Sequence, residues 1–98
     1  MTITEQVNGN QLVVKLEGRL DTNTAPELEA FLNDHYEGVE ALEMDFEALD
    51  YISSAGLRVL LAAQKKMNKQ GSMVVTHVCD DIMEVFEITG FADVLTIQ

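Results

Sequence analysis

From Gln11 to Glu17 apolar and polar residues alternate, with Leu12, Val14 and Leu16 set against Val13, Lys15 and Glu17. That period of two predicts a strand with one buried face. Ahead of it, Ile3 and Val7 stand among polar neighbours, and Val7-Asn8-Gly9-Asn10 holds the Asn-Gly pair of a type I′ turn. The chain is therefore expected to open with a hairpin. Gly18-Arg19-Leu20-Asp21 leads out of the second strand. A helical period follows. Thr24-Ala25-Pro26-Glu27 has the form of a capping box with Pro in the first turn, where its missing N–H costs nothing. Leu28, Phe31 and Leu32 make its inward stripe, and Gly38 is the expected stop. Leu42, Met44 and Phe46 then alternate with Glu43, Asp45 and Glu47, a third strand.

The longest helix is expected from about Ser54 to Gln70, stopped by Gly71. Leu57, Leu60, Leu61, Gln64 and Met67 form its core stripe. Val59, Ala62 and Ala63 widen the apolar arc, so a second contact is expected along its first half. Met73-Val74-Val75-Thr76 with Val78 is apolar on both faces and reads as a central strand covered on both sides. Asp80 and Asp81 open a short helix with Ile82, Met83, Val85 and Phe86 inside, ending near Gly90. Val94 to Ile97 reads as a last short strand. The order implies an α/β fold: a mixed sheet of four to five strands, parallel through its βα crossovers, with about three helices packed against it. Residues 1–98 read as a single domain, since 47% hydrophobic residues over this length supply one modest core.

Charge narrows the partners. The net charge is −11, yet from Tyr51 to Cys79 there is no Asp or Glu, while Arg58, Lys65, Lys66 and Lys69 all lie there. Such a surface repels nucleic acid and anionic lipid outside one basic strip. The total charge favours a basic protein partner, although acidity also serves solubility alone. No apolar run approaches a membrane span, and the N-terminus lacks the basic start of a signal peptide. One cysteine, Cys79, permits no internal disulfide, which suits the cytoplasm; it is expected as a small buried hydrophobe.

No catalytic set or metal-ligand spacing emerges. Glu40, Glu43, Asp45 and Glu47 match no calcium loop and read as a solvated strand face. His35 reads as a polar surface residue and His77 as packed or hydrogen-bonded. The chemistry concentrates instead at Asp50-Tyr51-Ile52-Ser53-Ser54-Ala55-Gly56-Leu57. Either serine would serve as a helix N-cap. Ala55 and Gly56 leave room beside the hydroxyls, and a helix N-terminus tolerates an added anion.

Three segments in order carry a family resemblance: Gly18 through Pro26, the acidic strand ending in Asp50-Tyr51-Ile52, and Ser53-Ser54-Ala55-Gly56-Leu57. Together they resemble the STAS domain, and more narrowly the single-domain anti-sigma factor antagonists of bacteria. The resemblance implies a binding module, not an enzyme, with no cofactor, metal or catalytic residue of its own. Unphosphorylated, it would bind an anti-sigma factor serine kinase, with ATP held on the kinase, and so free the sigma factor. A PP2C-type phosphatase would reverse the phosphorylation. Aligning Gly56-Leu57 with the family turn places Ser54 on the phosphoacceptor, with Ser53 the alternative, standing where many members carry Asp. The partner-binding residues implied are Asp21, Asn23, Thr24, Ser53, Ser54, Ala55, Gly56, Leu57 and Arg58. A monomer or weak dimer is expected. Competing readings are a STAS subunit bound to a membrane transporter's ATPase, and a structural or ligand-binding module that never switches.

Overall fold

Val14, Leu16 and Leu20 are fully buried while Lys15, Glu17 and Arg19 face solvent, so the alternation read in the sequence is the physical face of a strand. A computed structural model describes residues 1–98. Strand β1 (Thr2–Asn8) pairs antiparallel with β2 (Gln11–Leu20). Asn8 pairs with Gln11, so the turn residues are Gly9 and Asn10, one position later than the Asn-Gly pair suggested. Positive φ falls on Gly9 alone, at +59°, the pattern of a type II′ turn and not of type I′. Gly18-Arg19-Leu20, expected to lead out of β2, belongs to it.

Helix α1 (Ala25–His35) crosses over to β3 (Ala41–Ile52), which lies parallel to β2; α2 (Ser54–Gln70) crosses to β4 (Ser72–Thr76), parallel to β3. The sheet order is β1-β2-β3-β4, a four-stranded mixed sheet with three helices. Successive crossovers of the same hand place α1 and α2 side by side on one face. The second contact expected along α2 is α1. Val59 and Ala63 are buried, although Ala62 remains exposed.

Strand β3 holds the detail that positions the site. Its pairing with β2 shifts twice, between Lys15 and Glu17 and between Gly18 and Arg19, and each shift adds a residue to β3. Every added residue reverses which parity points inward. The buried positions accordingly run Leu42, Met44, Phe46, then Leu49, then Ile52. The second reversal buries Ile52 and turns Tyr51 outward.

Other expectations are corrected. Strand β4 is an edge strand, not a central one, and β2 and β3 are the inner pair. Its free side meets one parallel bridge, Val75 to Ile97, which is what remains of the expected last strand. A 3-10 turn at Phe91–Asp93 occupies that region, and the Val94 and Leu95 amides bond back to Phe91 O at 3.0 and 2.9 Å. Cys79 is exposed at the N-cap of α3 (Asp80–Thr89), not buried. The strand carboxylates are not all solvated: Asp45 is buried, with Oδ1 accepting from the Glu47 amide at 3.0 Å and lying 3.0 Å from His77 Nδ1. His77 is hydrogen-bonded as expected. His35 is half-buried, stacked 4.0 Å from the Phe31 ring with Nε2 at 2.8 Å from Glu5, so it ties α1 to the edge strand.

Candidate functional site

The end of β3 delivers Ser53 to the start of α2. The Ser53 amide donates to Leu20 O at 2.9 Å, continuing the β2–β3 ladder by one bond, and its carbonyl accepts from Leu57 N–H at 3.0 Å, beginning the helix. Ser53 is thus the N-cap by backbone, with φ −102° and ψ 176°. Its side chain does not cap. Ser53 Oγ is buried without a hydrogen-bond partner. Ser54, the first helical residue, is exposed. The two adjacent hydroxyls therefore differ in the property that decides chemistry at a surface, which is access.

Gly56 faces inward. A methyl there would stand 2.7 Å from Leu20 Cγ and 2.9 Å from Ile52 Cγ1, closer than packed carbons allow. Its small size lets the helix sit against the strand ends; it does not clear space for a visitor. Leu57 is likewise buried, so among the residues carried over from the resemblance Gly56 and Leu57 lie in the core. Ser54, Asn23 and Arg58 are exposed, and Asp21, Thr24, Ser53 and Ala55 are half-buried.

Beside Ser54 the turn after β2 is held by its own side chains. Asp21 Oδ1 accepts from the Asn23 and Thr24 amides at 3.0 and 3.1 Å. The Thr24 hydroxyl accepts from the Asp21 amide and donates to Arg19 O, each at 2.8 Å. It is thereby withdrawn from the capping box, and α1 starts with no side-chain cap. The Thr24 amide, above all, holds the Asp21 carboxyl below its usual range, with the Asn23 amide, the Thr24 hydroxyl and Arg19 adding to it against desolvation. A shallow groove of about 300 Å³ runs between the helix starts, lined by Thr22, Pro26, Glu29, Ala55, Arg58 and Val59 among others.

Arg19 and Tyr51, paired in register at the C-terminal ends of β2 and β3, were not singled out in the sequence. The guanidinium lies 4.1 Å from the Tyr51 ring centroid and 3.8 Å from Asp21. Tyr51 is 41% exposed although aromatic. An exposed Tyr–Arg pair is the composition favoured at interface anchors. Tyr51 next to the Ser-Ser turn was the available signal, but the bulge that turns it outward has no sequence mark. A second group, Asp45, Glu47 and His77, brings three ligand atoms within 4.8 Å of one another on the sheet face opposite Met44 and Phe46. Its two carboxylates lie on β3 before the serine turn, and His77 follows the end of β4.

Residues 2–98 match the family model described as the STAS domain. The chain belongs to the STAS family. This STAS chain is 35% identical over 99 residues to BtrV of Bordetella bronchiseptica, a candidate anti-sigma factor antagonist, covering 99% of this chain and 85% of that protein. It is 33% identical to the anti-sigma-B factor antagonist of Staphylococcus aureus over 87% of this chain and 81% of that one. Among solved structures, an anti-sigma factor antagonist from Mycobacterium paratuberculosis superposes with a TM-score of 0.88 at 25% identity, covering 98% of this chain and 83% of that one. The antagonist SpoIIAA shares the fold in its unphosphorylated and phosphorylated forms, with TM-scores of 0.78 and 0.76 at 18% identity. Those matches cover 99% of this chain and 87% and 91% of SpoIIAA. No helix of this STAS chain is long and apolar enough to cross a membrane.

Proposed function

We propose that this STAS protein is an anti-sigma factor antagonist whose binding is switched by phosphorylation of Ser54. The observation that carries the reading is the contrast at the turn: Ser54 is exposed at the first position of α2, while Ser53 Oγ is buried. In this reading the unphosphorylated protein binds an anti-sigma factor serine kinase in the cytoplasm and releases its sigma factor. The kinase then transfers the γ-phosphoryl group of its ATP to Ser54 Oγ, the hydroxyl proton passes to a base on the kinase, and ADP leaves. A PP2C-type phosphatase hydrolyses the ester and restores the binding form.

The helix start supports such a switch. Phosphate adds about −1.5 to −2 charges at neutral pH. Within the domain the unpaired N–H groups and the positive end of the helix dipole oppose that charge, so the fold tolerates it. Across a packed interface the same charge must lose water and find a partner, which costs a few kcal/mol when none is provided. The test is a binding titration against the purified anti-sigma factor kinase. Ser54→Ala is expected to bind like the unphosphorylated protein and resist ATP-driven release. Ser54→Asp is expected to fold normally and bind at least tenfold more weakly. Equal affinity for Ser54→Asp and wild type would sink the reading.

A further inference from the structure

Arg58, Lys65, Lys66 and Lys69, four of the chain's six Lys and Arg residues, lie on α2, and no Asp or Glu occurs from Tyr51 to Cys79. The chain offers 17 carboxylates, yet none of these four cations forms an ion pair; those present use Arg19, His35 and His77. Lys66 alone leans on an aromatic ring, 5.9 Å from the centroid of Tyr36. Ser54, Arg58, Ala62, Lys65 and Lys69 are all exposed, and their spacing of four, four, three and four puts them on one stripe. From Arg58 to Lys69 the stripe is about 16 Å long.

Folding alone does not account for this segregation. Cations in the last turns complement the helix dipole, which covers Lys65, Lys66 and Lys69. Arg58 stands near the opposite end, where the dipole disfavours a cation, and although Glu29 lines the same groove the two form no ion pair. Lys65 and Lys69 repel at the i, i+4 spacing, with no Glu on the stripe to offset them.

We propose that this stripe docks a short acidic segment of the protein partner, and that phosphate on Ser54 competes with that segment for Arg58, its i+4 neighbour. The second half rests on the phosphoacceptor reading above; the first half does not. The occupant follows from the charge map. The total of −11 argues for a basic partner, but charges more than about 8–10 Å apart are screened at physiological salt, so the contact itself is decided by the stripe. A nucleic acid or an anionic membrane would extend past the stripe and meet the acidic remainder of the chain. A short run of carboxylates would not.

The experiment is a titration of the ¹⁵N-labelled full chain with a hexaglutamate peptide at physiological salt, where the acidic remainder of the chain is screened. Amide shifts are expected at Arg58, Ala62, Lys65 and Lys69, with affinity falling at least tenfold in Lys65→Glu/Lys69→Glu. Lys65→Gln/Lys69→Gln, which adds no acid to the last turns, is expected in between, and phosphorylation of Ser54 should weaken the peptide severalfold in wild type but not in Arg58→Gln. Shifts elsewhere, or a charge-reversed variant that binds as well as wild type, overturn the docking surface. So does tighter binding of a DNA duplex or of phosphatidylglycerol vesicles to the same residues. Peptide weakening that persists in Arg58→Gln overturns the competition for Arg58. With the kinase as ligand, loss of binding in wild type while the peptide still binds defeats the antagonist reading alone; equal kinase binding by wild type and charge-reversed protein defeats the docking surface alone.

Discussion

Gly56 of α2 sits so close to Leu20 of β2 that an added methyl would lie 2.7 Å from Leu20 Cγ. This contact fixes the height of the Ser-Ser turn above the sheet. The neighbour is a branch-point carbon rather than a flexible tip, and Ile52 crowds the same methyl at 2.9 Å. Gly56→Ala is therefore expected to destabilise the protein by about 1–3 kcal/mol, the usual cost of overpacking a core. Denaturant unfolding measures it. A loss below about 0.5 kcal/mol, within the range of an ordinary surface change, would show that α2 can shift freely at its start.

Ser53 offers the opposite case. A capping serine replaced by Ala typically costs about 1 kcal/mol. Here Ser53 Oγ makes no hydrogen bond and is buried, so its removal takes away an unsatisfied group. Ser53→Ala is expected to leave stability within about 0.5 kcal/mol of wild type, or to raise it. A full capping loss in thermal unfolding would contradict the geometry.

These two residues show where sequence reasoning stops. The bounds of α2, Ser54 to Gln70, were legible because its apolar period is long and a serine and a glycine mark its ends. The order of elements through α3 was legible for the same reason, while the expected last strand survives only as the Val75–Ile97 bridge. The capping box at Thr24 was misread because the Arg19 carbonyl, at the end of β2, and the Asp21 amide, in the turn after it, compete for the same hydroxyl. The two additions in β3 leave no mark in composition, so the outward Tyr51 was missed. Strand β4 has apolar residues on both faces, but its free side meets little more than Ile97, a tertiary fact that no local pattern encodes. Asp45 looked solvated because its partner, His77, is 32 residues away.

The Asp21 turn predicts a pH dependence. The folded carboxyl titrates below its ordinary 3.8, chiefly because the Thr24 amide bonds the charged form. A depressed folded value means a contribution that is present above 3.8 and lost as pH falls through the folded value. Asp21→Asn is accordingly expected to be less stable than wild type at pH 7, with the gap closing below pH 3.8. Unfolding midpoints of both proteins followed from pH 7 down through the acid range test this; a gap that stays constant as the pH falls would assign the effect to something other than ionisation.

Inside α2, Gln64 is 7% exposed, and its Oε1 has no partner while Nε2 donates to Asn68 Oδ1 at 2.9 Å. A buried acceptor left unpaired costs about 1–3 kcal/mol. Gln64→Met keeps the length of the side chain and removes the acceptor. It is expected to match or exceed wild-type stability, by up to about 1 kcal/mol after the lost bond to Asn68 is counted. A clear drop in melting temperature would mean that water or a rotated amide already satisfies Oε1.

Phosphate is expected on Ser54 and not on Ser53 when the kinase and Mg-ATP are supplied. Both hydroxyls lie at a helix start, so electrostatics does not separate them; access does. Ser53 Oγ is enclosed, and its backbone is pinned to Leu20 by a 2.9 Å bond, so presenting it to a kinase would require opening the end of the β2–β3 ladder. Ser54 needs no such opening. Its ester oxygens would project from the first turn of α2, where the helix dipole favours them by about 0.3–1 kcal/mol. The phosphorylated protein is therefore expected to keep its circular dichroism spectrum and to melt no lower than the unmodified form. Fragment-ion mass spectrometry locates the phosphate. Phosphate confined to Ser53, or a fold that loosens when Ser54 carries it, would show that the turn opens during the reaction and that access in the resting fold does not choose the residue.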